Sequence, residues 1–120
     1  MSGNVGRRGE VSVVAHKREL FRIPINRSGQ IRYGLRTLAC QVVNVSQKGF
    51  RLRAEGSFSS GDILHVDVAL DEEKHIGCIV QAVYVQPPFV GAVVVGISPH
   101  HQTMLSRFID EVNALSLMGF

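Results

Sequence analysis

From Leu20 onward the chain is cut into strand-length runs of alternating apolar and polar residues, and only near its end does the period change. Thr37 to Val45 places Leu38, Cys40 and Val42 on one face. Phe50-Arg51-Leu52-Arg53 alternates again. From Ile63 to Leu70, Leu64, Val66, Val68 and Leu70 oppose Ile63, His65, Asp67 and Ala69. A period of two marks a strand with one buried face. Ile76 to Val85 and Val90 to Ile97 read as a long antiparallel pair around Gln86-Pro87-Pro88-Phe89. Phe21-Arg22-Ile23-Pro24-Ile25 starts the first strand. Pro24 has no N–H to donate, so it requires an edge position or a bulge. Asn26-Arg27-Ser28-Gly29, Gln47-Lys48-Gly49, Ser57 to Gly61 and Asp71 to Lys74 read as turns or loops. Met104, Leu105, Phe108, Ile109, Val112 and Leu115 then recur at helical spacing. Ser98 offers the N-cap and Pro99 the first-turn proline. About six short strands followed by one amphipathic helix predict a mainly β chain, a closed or nearly closed β-barrel covered by a C-terminal α-helix.

The chain's 120 residues suffice for one core and not for two. Residues 1–16 are expected to be a flexible N-terminal segment, with a candidate short strand from Glu10 to Ala15. Residues 17–120 form the domain. With 45% hydrophobic and 19% charged residues the composition is that of a globular protein. The first fifteen residues hold no apolar stretch fit for a signal peptide. The strongest apolar run, Val90 to Ile97, is too short to span a bilayer and is broken by Gly91 and Gly96. A cytoplasmic location without membrane insertion is therefore expected. Cys40 and Cys78 lie in apolar runs and read as small buried thiols. Charge is lopsided: residues 1–53 carry eleven Lys and Arg against two acids, and residues 54–120 carry two against eight. That asymmetry suggests an electropositive surface that attracts an anion.

Two motifs give that anion a shape. Arg18-Glu19-Leu20-Phe21-Arg22 spaces two guanidiniums four residues apart. Asn44-Val45-Ser46-Gln47-Lys48-Gly49 begins 22 residues further on. An arginine fork matches a planar pair of acceptors or a phosphate. An Asn carbonyl accepts N–H donors, and the Ser46 hydroxyl can give or take a bond. Each motif alone is weak, since Asn-x-Ser-x-x-Gly also makes an ordinary Asx-turn between strands. In this order and at this separation, the two resemble the PilZ family from about Lys17 to the end of the chain.

That resemblance implies a six-stranded antiparallel barrel, commonly followed by a helix, that receives the bacterial messenger cyclic di-GMP. It implies that Arg18 and Arg22 contact guanine edges and phosphates from the junction before the barrel. Asn44, Ser46 and Gly49 complete the site, with Gly49 allowing a positive φ and a close approach of backbone to base. Asn44 stands where the family admits Asp or Asn, and without the charge it implies weaker binding than an Asp-bearing relative. Lys17 adds a cation suited to a second, stacked ligand; as an isolated residue it reads as a solvated lysine. Tyr84 lies in the penultimate strand, where an aromatic stacks on guanine in some relatives; as an isolated residue it reads as a barrel-wall tyrosine. The family's outputs are motility, biofilm polysaccharide and virulence, so a chain without an output domain is expected to signal through an unidentified protein partner.

No metal-ligand spacing joins His16, His65, His75, His100 and His101. No nucleophile elbow, phosphate loop or dinucleotide fingerprint occurs either. Neither a metal, another cofactor nor an enzymatic activity is expected. Two rival readings remain: a PilZ-like adaptor that binds no ligand, and a small barrel for single-stranded nucleic acid. The second lacks a stacking platform of aromatics and an RNA-binding signature, so neither DNA nor RNA is expected as a partner.

Overall fold

The computed structural model describes residues 23–117, with side chains to residue 115. The candidate strand from Glu10 to Ala15, the flexible segment 1–16, and Lys17, Arg18 and Arg22 lie outside the described residues. Six strands follow one another: β1 (Ile23–Tyr33), β2 (Arg36–Val45), β3 (Gly49–Ala54), β4 (Ile63–Ala69), β5 (His75–Gln86) and β6 (Phe89–Ile97). One helix, α1 (Pro99–Leu117), closes the chain. The strands form a closed barrel in the order β1-β2-β3-β6-β5-β4, every neighbouring pair antiparallel. The barrel closes through Gly29 to Arg32 of β1 against β4, so neither strand is an edge along its whole length.

The expected alternation fills the interior. Leu64, Val66, Val68, Ile76, Val80, Leu52 and Val42 are all buried. Cys40 and Cys78 sit among them, and burial pushes both thiols up to about 11. The β5–β6 hairpin turns at Pro87-Pro88, as expected. At the start of α1 the Ser98 hydroxyl accepts the His101 backbone N–H at 3.2 Å, an N-cap bond that satisfies one of the helix's unpaired donors. Leu105, Phe108 and Ile109 are buried against the barrel, and Met104 and Val112 pack partly against it. Leu115, counted into the same stripe, is 57% exposed, because the helix runs past the surface it covers.

Polar contacts also tie α1 down. The Gly77 N–H donates to His101 Nδ1 at 3.1 Å. Arg27 Nε donates to the Leu70 carbonyl at 2.9 Å, and its guanidinium lies 5.2 Å from the Phe108 ring centroid. Part of the basic excess in the first half of the chain is thus structural, as is Arg32, paired with Asp67 at 3.7 Å.

One turn is misplaced by composition. Asn26 to Gly29 is strand, with Arg27, Ser28 and Gly29 paired to Val42, Gln41 and Cys40 of β2. Gly29 also pairs with Val68 of β4, and a Cβ there would stand 2.7 Å from the Asp67 carbonyl oxygen. The glycine lets two strands approach rather than letting the chain turn. The true β1–β2 hairpin has the two-residue loop Gly34-Leu35, where Gly34 takes a left-handed φ of 62°.

Candidate functional site

Three irregularities in the ladders shape the outer wall near the Asn44 motif. Val42 and Val45 are both buried, three residues apart. Strict alternation cannot bury both. A bulge between Val42 and Asn44 shifts the register by one, keeps Val45 inside and turns Asn44 out. A second bulge, between Ala82 and Tyr84, does the same in β5: Ala82 is buried and Tyr84 is 58% exposed. The third falls in β1 between Pro24 and Arg27, where the missing proline donor calls for it.

The outcome is one row of residues across five strands. Pro24 pairs with Asn44, Asn44 with Arg51, Arg51 with Gly91, and Gly91 with Tyr84. Adjacent strands lie about 4.8 Å apart, so Asn44 and Tyr84 stand roughly 14 Å apart along the wall. Gly91 contributes no side chain, and a Cβ there would meet the Tyr84 Cβ at 3.6 Å, on the same face. Tyr84 is an outward residue whose hydroxyl donates to Gln86 Oε1 at 2.9 Å.

The motif turn is braced from within. The Ser46 N–H donates to the Gly49 carbonyl at 2.9 Å, and the Lys48 N–H donates to Ser46 Oγ at 3.3 Å. Ser46 thus takes part in the turn as well as being a candidate contact. The Lys48 carbonyl accepts the Val94 N–H at 2.8 Å, fastening the turn to β6. The Ser106 hydroxyl of α1 donates to Gln47 Oε1 at 3.3 Å.

Gly49 corrects the sequence expectation. Its φ is not left-handed; among the described residues the glycines with positive φ are Gly34 and Gly61. Instead it opens β3 directly against β6. A Cβ at Gly49 would overlap the Ala92 carbonyl oxygen and stand 3.1 Å from Val93 Cα. One close approach that needs this glycine is between two strands of the barrel.

Sequence reasoning overlooked Arg51 and Phe89. Arg51 lies opposite Asn44, and its guanidinium carbon stands 4.5 Å from the Phe89 ring centroid; that of Arg53 stands 5.9 Å from it. Only the alternation Phe50-Arg51-Leu52-Arg53 hinted at this, by placing both arginines on the outer face. A hollow of about 560 Å³ borders the turn, lined by Gln47, Lys48, β6 and Gln102 but not by Asn44 or Ser46. Along the row Pro24 and Tyr84 are exposed, Asn44 and Arg51 half-buried, and Gly91 buried. No group of three His, Cys, Asp or Glu residues suited to a metal ion occurs among the described residues.

These features define a class: a small closed antiparallel barrel, capped by a helix, that presents polar and cationic groups on its outer wall. The chain belongs to the PilZ domain family, whose sequence profile matches residues 16–111. Among the solved structures that share the fold are the following two. One is the inhibitor of motility MotI/DgrA of Bacillus subtilis, with a TM-score of 0.66 and 20% identity, covering 82% of this chain and 50% of that one. This chain therefore spans half the length of that protein. The other is the PilZ domain of CeSA from a cellulose-synthesizing bacterium, with a TM-score of 0.63 and 9% identity, covering 78% of this chain and 98% of that one. A search of the curated proteins gave no match. Among the described residues no helix is long and apolar enough to cross a membrane.

Proposed function

We propose that this chain is a receptor domain for cyclic di-GMP that changes its surface on binding and signals by protein contact. One observation carries the reading. The segment bearing Arg18 and Arg22 joins the barrel at Ile23, which pairs with Val45, and Pro24 pairs with Asn44. The Asn44 motif is thus paired with the residues that directly follow Arg18–Arg22 in sequence. In this reading Arg18 and Arg22 take guanine edges and phosphates, Asn44 and Ser46 take the N–H side of a guanine, and Tyr84 supplies a stacking face at the far end. Lys17 adds charge for a second, stacked ligand. Binding draws the N-terminal segment against the wall and alters what a partner meets. The likeness to an inhibitor of motility and to a PilZ domain from a cellulose-synthesizing bacterium favours motility or exopolysaccharide machinery as the output. A protein that acts in this way needs no catalytic step, membrane insertion or metal.

Calorimetric titration with cyclic di-GMP, against GTP, cyclic di-AMP and an oligonucleotide, tests the proposal. We expect saturable binding of cyclic di-GMP alone. Arg22→Ala should weaken it roughly 5- to 150-fold, the value of one bidentate pair at about 1–3 kcal/mol. A folded wild-type domain that ignores the ligand would return the chain to the adaptor reading. Preference for the oligonucleotide would favour the nucleic-acid one.

A further inference from the structure

We propose that Arg51, braced by the Phe89 ring, is a further phosphate-binding cation of this wall, an inference that rests on the cyclic di-GMP reading. Phe50 and Leu52 on either side of Arg51 are buried in the core, so Arg51 stands outside. It pairs directly with Asn44, one strand spacing away. Its guanidinium lies 4.5 Å from the Phe89 ring centroid, within the range of a cation–π contact. Such stacking uses the flat face of the guanidinium and leaves its N–H edge for an acceptor.

The charge around that ring is unbalanced. Arg53 shares it, at 5.9 Å. Among the described residues neither arginine makes a hydrogen bond or an ion pair. Two neighbouring cations repel, and a phosphodiester offsets that repulsion by offering two oxygens to a planar fork. Gly91, next in the row, places no side chain between Arg51 and Tyr84. Phe89 itself is a positioning residue. It holds Arg51 in one arrangement before binding, which reduces the freedom lost when the ligand arrives. Arg53 pairs with Gln41, two residues along the strand from the Asn44 row, and is the weaker contributor.

A double-mutant cycle tests this. Wild type, Arg51→Ala, Phe89→Leu, the double variant and Arg53→Ala are titrated with cyclic di-GMP at about 0.05 M and 0.5 M salt, where screening differs strongly. Thermal melts confirm that each is folded. We expect Arg51→Ala to lose about tenfold or more in affinity, as for a charge-assisted bond, and to flatten the salt dependence. Phe89→Leu should lose about two- to fivefold alone and nothing further in the Arg51→Ala background, which is the signature of coupling. Arg51→Lys, which keeps charge but not the fork, should recover only part. Wild-type affinity in Arg51→Ala overturns the proposal while leaving the receptor reading intact. So does an equal loss from Phe89→Leu in both backgrounds, or a loss from Arg53→Ala as large as that from Arg51→Ala. If the wild type binds no cyclic di-GMP, both readings fall together.

Discussion

Replacing Gly49 by alanine separates the structural role of the motif glycine from any role towards ligand. A Cβ there would overlap the Ala92 carbonyl oxygen and come within 3.1 Å of its carbon and of Val93 Cα. All three are backbone atoms in a paired strand, so no side chain can swing away. Relief requires β3 and β6 to part by roughly 1 Å at this end, since a carbon and an oxygen need over 3 Å between them. Two backbone bonds adjoin the contact, Ser46 N–H to the Gly49 carbonyl at 2.9 Å and Val94 N–H to the Lys48 carbonyl at 2.8 Å. At about 0.5–1.5 kcal/mol each, their weakening together with local overpacking costs about 2–4 kcal/mol. Reduced freedom of the unfolded chain returns about 0.4–1 kcal/mol. A net loss of about 1–3 kcal/mol follows. It is readable in urea titration as a lower midpoint at unchanged slope, and in heating as a fall of roughly 4–8 °C per kcal/mol for a domain of this size. The measurement is made without ligand. An alanine variant as stable as wild type refutes the steric argument and returns Gly49 to a purely ligand-facing role.

Two other outcomes follow from contacts away from the wall. Arg27→Ala removes the bond to the Leu70 carbonyl and the contact with Phe108. We expect a loss of about 1–3 kcal/mol, with faster amide exchange in α1 than in β4 and β5; uniform acceleration would mean that the arginine does not hold the helix. Burial raises the thiols of Cys40 and Cys78 from an ordinary 9.0 to about 11, so each is protonated in the fold where the unfolded chain would begin to ionise. Their contribution to stability is complete below about pH 9 and is lost as pH climbs through 11. Thiol reagents at pH 8 should react at the rate of unfolding, and prompt labelling of the native protein would contradict their burial.

Local sequence sufficed for the strand count, the opposed faces of β4, the β5–β6 pair, the capped start of α1 at Ser98-Pro99, and the two motifs that carry the family resemblance. These are local properties: alternation, capping and spacing are written within a few neighbouring residues. The first turn is misplaced because Asn26-Arg27-Ser28-Gly29 has turn chemistry, while pairing of Arg27, Ser28 and Gly29 with β2, and of Gly29 with β4, holds the segment extended. The tertiary structure alone decided which way Asn44 and Tyr84 face. Unbroken alternation from Val42 and from Ala82 would have carried both inward, and a bulge before each turned them out. The same pairing decided that Gly49 answers to a neighbouring strand, and that Arg51 and Phe89, 38 positions apart, meet beside Asn44. Register across a closed barrel is set by how all six strands fit around one core, so no single run of residues records it.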